Sequence, residues 1–87
     1  MSRQLAWTEA AWSDYDCWQG LEAKTLKRIN KLVREVIQTP FEGIGRPEKL
    51  QGSLDGFWSR RIDDRRRLVY AVSDERITIV SCQYHYR

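Results

Sequence analysis

The chain has few of the residues that build disulfides or metal centres. It contains two cysteines, Cys17 and Cys82, and a single histidine, His85. The cysteines lie far apart and form no CxxC pair, so their spacing gives no zinc signature. We interpret both as small buried thiols of a reduced cytoplasmic protein, and we expect no metal and no cofactor.

Long apolar stretches are missing as well. A membrane helix needs about 18 or more consecutive apolar residues, and the sequence has no such run. The first residues, Met1 to Gln4, lack the apolar core of a signal peptide. Repeats and low-complexity segments are absent, and 87 residues fit one domain, residues 1–87. We therefore expect a single cytoplasmic domain with no membrane contact.

Positive charge is what the second half of the chain has in excess. The net charge is +3, and residues 58–87 carry all of it, with seven arginines against four acidic residues. Arginine is a planar, bidentate partner for phosphate groups. This clustering favours a nucleic-acid or phosphate site in the C-terminal part.

Two helices are predicted in the first half. Thr8 is a typical N-cap, and Trp7 and Trp12 flank it at the spacing of a hydrophobic staple. The first helix should end at Gly20, with Trp12, Tyr15 and Trp18 on a face that packs against a sheet. A second amphipathic helix is predicted from about residue 22 to 38, ending before Pro40.

Strands are predicted around these helices, at residues 3–7, 48–50, 57–62, 68–72 and 77–84. The glycines Gly52 and Gly56 indicate a turn between the second and third of them. The connections between the last three strands are short, so these strands should form an antiparallel meander. The predicted class is α+β, with both helices covering one face of the sheet.

Four side chains suit the cleavage of RNA without a metal ion. Attack by the ribose 2′-oxygen needs a base, cationic donors to the phosphate, and an acid for the departing 5′-oxygen. Glutamate and histidine, with reference pKa values of about 4.3 and about 6.5, are a natural base and acid. The candidates are Glu48, Arg61, Arg67 and His85, and Tyr84 or Tyr86 could stack on a base or bind a phosphate.

Several stretches that carry these residues resemble the YoeB/Txe toxins of the RelE superfamily. The similarity covers nearly the whole chain, in the same order, and rests on residues 39–48, 56–62, 67–72 and 82–86. It implies a toxin of a type II toxin–antitoxin system, with two N-terminal helices on a curved antiparallel sheet, in a RelE-like fold that resembles microbial ribonucleases. It also implies an endoribonuclease that cuts mRNA in the ribosomal A site, between the 30S and 50S rRNA, a cognate antitoxin that binds the toxin, and a homodimer.

The resemblance assigns roles residue by residue. Glu48 matches the general base, Arg67 the arginine that stabilises the phosphate, and His85 the general acid. Arg61 matches a second arginine of the site and Tyr86 the terminal tyrosine. Arg65 is expected at a hairpin tip, either solvated or against ribosomal RNA.

The chain departs from the family pattern at two places. Family members often have proline directly after the glutamate and a lysine three residues after it, whereas this chain has Lys49 and Gln51. Lys49 would share one side of an ideal strand with Gln51, so it is the candidate to replace that lysine. Arg87 adds one residue beyond the terminal tyrosine.

Two further expectations concern the last strands. A regular hairpin would pair Arg67 with Cys82 and direct His85 to the other face, so we predict an irregularity between Ser81 and Tyr86. Arg60 is expected to face solvent or RNA, and Trp58 to lie in the core or at an interface. Lysines and arginines on the second helix are expected to be solvated or to contact ribosomal RNA.

Two other functions remain open on the same fold. A ParE-like toxin that poisons DNA gyrase would need no acid and base, and a passive RNA-binding module would need only the arginines. The combination of Glu48, Arg67 and His85 favours the nuclease.

Overall fold

A computed structural model describes residues 3–19, 23–51 and 56–85, with the backbone alone given for Gln19 and residues 83–85. The predicted stop at Gly20, most of the predicted turn at 52–56, and Tyr86 lie outside these ranges. The elements follow the order β1 (Gln4–Trp7), α1 (Glu9–Gln19), α2 (Ala23–Gln38), β2 (Glu48–Lys49), β3 (Phe57–Arg61), β4 (Arg66–Val72) and β5 (Arg76–His85).

The start of α1 has the predicted cap. The backbone N–H of Ala11 donates to Thr8 Oγ1 at 3.1 Å, which satisfies one of the free donors of the first turn. The rings of Trp7 and Trp12 meet edge to face with centroids 5.7 Å apart, so the hydrophobic staple is confirmed too. The N–H of Thr8 also donates to Ile79 O, which ties the start of the helix to β5.

The sheet has the order β1-β5-β4-β3-β2, and the last three strands form the predicted antiparallel meander. The expectation of a wholly antiparallel sheet is wrong, because β1 pairs in parallel with β5, from Gln4 opposite Arg76 to Trp7 opposite Ile79. The two helices carry the chain from β1 at one edge to β2 at the other. β1 and β5 are far apart in the chain, so no hairpin connects them and forces antiparallel pairing.

The core lies between the helices and one face of the sheet. Its buried side chains come from both helices, from β4 and β5, and from Ile62 just beyond β3, and Trp58 of β3 packs against it partly buried. Trp18 is 4% exposed, but Trp12 is 53% exposed and packs only at the rim, against Trp7 and Tyr15. The predicted aromatic stripe is therefore core at one end and surface at the other.

The two cysteines differ in their surroundings. Cys82 is fully buried, and burial together with the charge of Asp14 raises the pKa of its thiol to about 12. Cys17 is exposed, so the expectation of two buried thiols is wrong for this residue. Its neighbour Trp18 takes the core-facing position, and consecutive helix residues do not share a face.

No helix in the described ranges combines the length and the apolar character that a membrane crossing requires.

Strand β5 carries the predicted irregularity. Val72 pairs with Ile77 and Tyr70 with Ile79, but Val69 pairs with Ser81 and Arg67 with Tyr84. One extra residue of β5 is thus accommodated beside Val80 and another between Ser81 and Tyr84, each a β-bulge. The two one-residue shifts cancel in the strand alternation, so the register position of His85, opposite Arg66, still belongs to the strand face opposite that of Arg67. The irregularity is there, but it does not bring His85 into phase with Arg67.

Candidate active site

A groove opens on the sheet face that the helices leave uncovered. Glu48 is the register partner of Ser59, and Arg61 that of Arg67, so alternation directs these four side chains to one face. The groove has a volume of about 330 Å³ and is lined by Arg46, Pro47, Glu48, Arg61 and Arg67. The structure therefore brings together three of the predicted site residues.

Glu48 and Arg67 form an ion pair in this groove. Arg67 Nη1 lies 3.2 Å from Glu48 Oε2, and it also donates to Ser59 Oγ at 3.3 Å. The Arg67 side chain is 14% exposed and that of Glu48 is 56% exposed. A carboxylate that water reaches can accept a proton, while the guanidinium beside it is held by the sheet and can bind phosphate oxygens.

Arg61 adds a second guanidinium to the groove. Its Nη2 lies 3.2 Å from Asp64 Oδ1, a contact between exposed groups that holds the arginine only weakly. Arg46 is a third, and sequence reasoning missed it. Its backbone has a φ of 51°, and it lies between Gly45 and Pro47, two residues before Glu48. An arginine in a glycine–proline loop next to the candidate base was the available signal.

Lys49 and Arg65 do not join the groove. Lys49 pairs with Trp58, so alternation places it on the face opposite Glu48. Arg65 is exposed in the turn between β3 and β4, where its N–H donates to Asp63 Oδ1 at 2.9 Å. It borders a separate surface pocket with Asp63, Asp64 and Arg66.

The end of β5 runs beside the groove. The backbone of Tyr84 pairs with Arg67 and that of His85 with Arg66, so the strand that carries the candidate acid borders the strand that carries Arg67. The side chains of Tyr84 and His85, and the whole of Tyr86, lie outside the described part of the chain.

Arg60 is the largest departure from the sequence analysis. It was expected to face solvent or RNA, yet its side chain is fully buried on the helix side of the sheet. Trp58 and Ile62 lie two residues before and after Arg60, so they share its strand face, and both are apolar. This pattern predicts a buried face, and the sequence analysis missed it. Trp58 itself is half-buried, packs against the core as expected, and contacts Phe41 with ring centroids 5.0 Å apart.

The Arg60 guanidinium holds the loop that precedes β2. Nη1 contacts Glu35 Oε1 at 2.9 Å, and Nε donates to Tyr70 Oη at 3.3 Å. Backbone carbonyls of the loop accept the remaining bonds, namely those of Thr39, Glu42 and Ile44. A buried cation with this many acceptors satisfies both its charge and its donors.

Glu35 extends the same network into the loop. Its Oε1 also accepts the backbone N–H of Ile44 at 2.6 Å. A Cβ on Gly43, whose φ is +125°, would stand 1.7 Å from that carboxylate oxygen. Further on, the N–H of Arg61 donates to Gly45 O at 2.6 Å, so the loop reaches Glu48 already bound to α2 and β3.

Asp63 shapes the turn between β3 and β4. Its Oδ1 accepts the N–H groups of Arg65 and Arg66, and Oδ2 lies 3.1 Å from Arg66 Nε. Burial opposes the charged form, but these hydrogen bonds and the two positive charges outweigh it and lower the pKa of Asp63. The Arg66 guanidinium lies 4.5 Å from the Trp18 ring centroid, a cation–π contact that holds it against α1.

Comparison with known proteins gives a consistent result over almost the entire chain. Residues 7–86 match the family of YoeB-like toxins of bacterial type II toxin–antitoxin systems. Toxin YoeB of Escherichia coli K12 is 49% identical over 83 residues, which cover 95% of this chain and 99% of that protein.

Two solved structures have the same fold. A YoeB/ParE toxin from Agrobacterium tumefaciens superposes with a TM-score of 0.91 at 44% identity, covering 95% of this chain and 99% of that one. YoeB of Staphylococcus aureus, solved as a dimer, superposes with a TM-score of 0.89 at 41% identity over 99% and 100% of the two chains. A heterotetrameric complex of YoeB with YefM from Staphylococcus aureus also matches, with a TM-score of 0.86 at 41% identity over 99% and 100% of the two chains. From the family match and these identities, the chain belongs to the YoeB-like toxins of bacterial type II toxin–antitoxin systems.

Proposed function

We propose that this toxin is a ribosome-dependent endoribonuclease that cuts mRNA in the A site by acid–base catalysis without a metal ion. The observation that carries the proposal is the 3.2 Å contact between the Glu48 carboxylate and the Arg67 guanidinium in an open groove. A carboxylate beside an arginine supplies a base and a phosphate ligand at one place.

The reaction assigns a proton or a charge to each residue. Glu48 accepts the proton of the ribose 2′-hydroxyl, whose oxygen attacks the adjacent phosphorus. Arg67 and Arg61 donate to the phosphoryl oxygens as negative charge develops on them. His85 donates a proton to the departing 5′-oxygen, and Tyr86 binds the phosphate or stacks on a base. The products are a 2′,3′-cyclic phosphate and a free 5′-hydroxyl.

The last two strands lie side by side at the groove, although the register partner of His85 is Arg66, on the strand face away from the groove. Tyr84 and His85 pair with Arg67 and Arg66, which puts the end of β5 next to the strand that carries the phosphate ligand. The groove face is also the one free of helices, so an RNA strand can approach it. Glu48, Arg67 and Arg61 stand on neighbouring strands of one sheet, a rigid support for such a site.

The partners follow from this activity and from the relatives. The substrate is mRNA on the ribosome, contacted by 30S and 50S rRNA, and the place of action is the cytoplasm. Because YoeB of S. aureus forms a dimer and a complex with YefM, we propose a homodimer and a cognate antitoxin here as well.

Primer extension on a defined mRNA in a reconstituted translation system tests the proposal. Wild-type toxin should produce discrete cuts within the A-site codon. Glu48→Gln and His85→Ala should each reduce the cleavage rate by about 10²–10⁴-fold, the contribution of one acid or base. Both variants should keep the wild-type denaturation midpoint.

Glu75→Gln is the matched control for Glu48→Gln. Glu75 is an exposed carboxylate in the turn between β4 and β5, at the end of the sheet away from the groove, and its removal should leave cleavage unchanged. Intact mRNA together with inhibited gyrase would favour the ParE-like alternative. RNA binding without either effect would favour the passive module.

A further inference from the structure

A second cavity adjoins the groove. It has a volume of about 310 Å³, and its lining includes Arg46 and Arg61, both of which also line the groove. From these two residues the side cavity extends to Arg28 of α2. The shared arginines make the groove and the side cavity one continuous surface, with Glu48 and Arg67 at one end and Arg28 at the other.

Two carboxylates that border the side cavity already have partners. Asp63 Oδ1 accepts two backbone N–H groups, and its Oδ2 lies 3.1 Å from Arg66 Nε. Asp64 lies 3.2 Å from the Arg61 guanidinium, and its side chain is fully exposed, so solvent screens its charge. Neither carboxylate cancels the charge of the other arginines at the cavity.

Arg28 and Arg46 supply the positive charge that remains. Arg28 Nη2 donates to the backbone carbonyl of Arg61 at 3.2 Å, which holds the half-buried Arg28 side chain at the end of β3. Neither Arg28 nor Arg46 forms an ion pair with a residue in the described part of the chain. A guanidinium has five N–H donors, so Arg28 keeps several for an anion in the cavity.

The backbone holds Arg46 in an unfavourable conformation. Its φ of 51° is uncommon for a residue other than glycine, and it precedes Pro47, which restricts it further. On the other side, Gly45 O accepts the N–H of Arg61 at 2.6 Å, and a Cβ on Gly45 would stand 2.9 Å from Leu32 Cδ2. Residues kept in such conformations despite the cost to stability cluster at functional sites.

We propose that Arg46 and Arg28 form a second phosphate subsite, which binds the mRNA phosphodiester next to the scissile one. The proposal rests on the proposed function, in which Glu48, Arg61 and Arg67 act on the scissile linkage. Consecutive phosphates of a strand are one nucleotide apart, so a ligand for the second must adjoin the site of the first, as the side cavity does. Such a contact fixes the position and direction of the strand without reading its sequence.

Single-turnover cleavage of ribosome-bound mRNA that carries one uncharged methylphosphonate linkage tests the subsite. The linkage is placed in turn on the 5′ and the 3′ side of the scissile one. At one of these positions it should lower the rate at subsaturating wild-type toxin at least 10-fold, about the loss of one charge-assisted hydrogen bond.

Variants of the two arginines complete the cycle. Arg46→Gly and Arg28→Gln should each cut unmodified mRNA more slowly than wild type, and Arg28→Gln keeps a donor for Arg61 O. In the double variant the methylphosphonate should cost less than about twofold in addition, because the contact it removes is already gone.

Two comparisons separate binding from a structural role. Glycine adopts a φ of 51° without strain, so Arg46→Gly should keep or raise the urea midpoint while its cleavage rate falls. Arg34→Gln is the matched control, since Arg34 is an exposed arginine of α2 that lines neither cavity. In this variant the methylphosphonate should slow cleavage by the wild-type factor.

Wild-type rates of Arg46→Gly and Arg28→Gln on unmodified mRNA would overturn the inference. So would a methylphosphonate effect of undiminished size in the double variant, which would assign the two arginines to ribosomal RNA instead. Absence of cleavage by wild type would overturn the proposed function. Fluorescence anisotropy of the free toxin with a short labelled RNA would then decide on the subsite, because only wild type should bind the methylphosphonate strand more weakly than the unmodified one.

Discussion

Arg60 and Arg61 are neighbours in β3, and alternation gives them opposite surroundings. Arg60 points to the helices, is fully buried, and binds Glu35, Tyr70 and three loop carbonyls. Arg61 points to the groove, is 40% exposed, and has a weak contact with Asp64. The same side chain thus holds a loop in place on one face and stays available for a ligand on the other.

One of these neighbouring arginines should therefore matter for the stability of the fold and the other for activity. Removing a buried cation leaves its acceptors without donors, and that cost falls on the folded state. Removing an exposed arginine changes the folded state little, so its effect should appear when a phosphate binds. Variants of the two faces should therefore fail in different assays.

Replacement of Arg60 should give the largest loss of stability. Arg60→Met keeps most of the side-chain volume but leaves Glu35 and the loop carbonyls unpaired, and breaking such a buried pair costs about 3–5 kcal/mol. Urea denaturation of the purified chain measures this. Arg61→Met is the matched control and should change the free energy of unfolding by less than about 0.5 kcal/mol. Equal losses in both variants would contradict the division between the two faces.

Gly43→Ala should give a smaller loss on the Arg60 side. The added methyl would collide with Glu35 Oε1, and a φ of +125° strains any residue other than glycine. Such strained positions cost about 1–3 kcal/mol. Gly56→Ala serves as the control, because Gly56 also has a positive φ (94°) but no atom within 4 Å of a Cβ. If Gly56→Ala is as destabilising as Gly43→Ala, the contact with Glu35 is not the cause.

Replacement of Asp63 should give the smallest loss of stability, and that loss should depend on pH. The folded chain lowers the pKa of Asp63 below its ordinary value of 3.8, so the unfolded chain binds the proton more readily. The stabilisation is present above about pH 4 and is lost as the pH falls through the lowered pKa. Partial exposure of the carboxylate keeps it below about 1 kcal/mol.

Denaturation curves of wild type and Asp63→Asn at several pH values measure this effect. The difference between them should be constant from pH 5 to 7 and shrink toward pH 3. Asp74→Asn, in the exposed turn between β4 and β5, is the control for the loss of one surface carboxylate.

Much of the groove follows from sequence because it depends on strand pairing. Short connections imply the antiparallel meander, and alternation within it puts Arg61 and Arg67 on one face. Glu48 joins them once β2 pairs with β3, for which the glycines at 52 and 56 were the signal. The resemblance to a toxin family supplied the roles of these residues, which spacing alone leaves open.

The features that the sequence did not predict depend on contacts between segments far apart in the chain. The only local sign that separates the buried Arg60 from the exposed Arg61 is the alternation of Arg60 with Trp58 and Ile62. The acceptors that bury its charge come from α2 and the loop that cover one face, far away in the sequence. Lys49 was expected near the site, but β2 is only two residues long, and its pairing places Lys49 on the other face from Glu48. The parallel pairing of β1 joins the first and the last strand of the chain, a contact that no short sequence pattern encodes.

The rate of mRNA cleavage by Arg67→Ala tests the central claim most directly. If the Glu48–Arg67 groove is the site of phosphate attack, single-turnover cleavage on the ribosome should fall by about 10²–10³-fold, the usual cost of one transition-state donor. The variant should still bind the ribosome and unfold cooperatively. A folded, ribosome-bound Arg67→Ala that cuts mRNA at the wild-type rate would contradict the account.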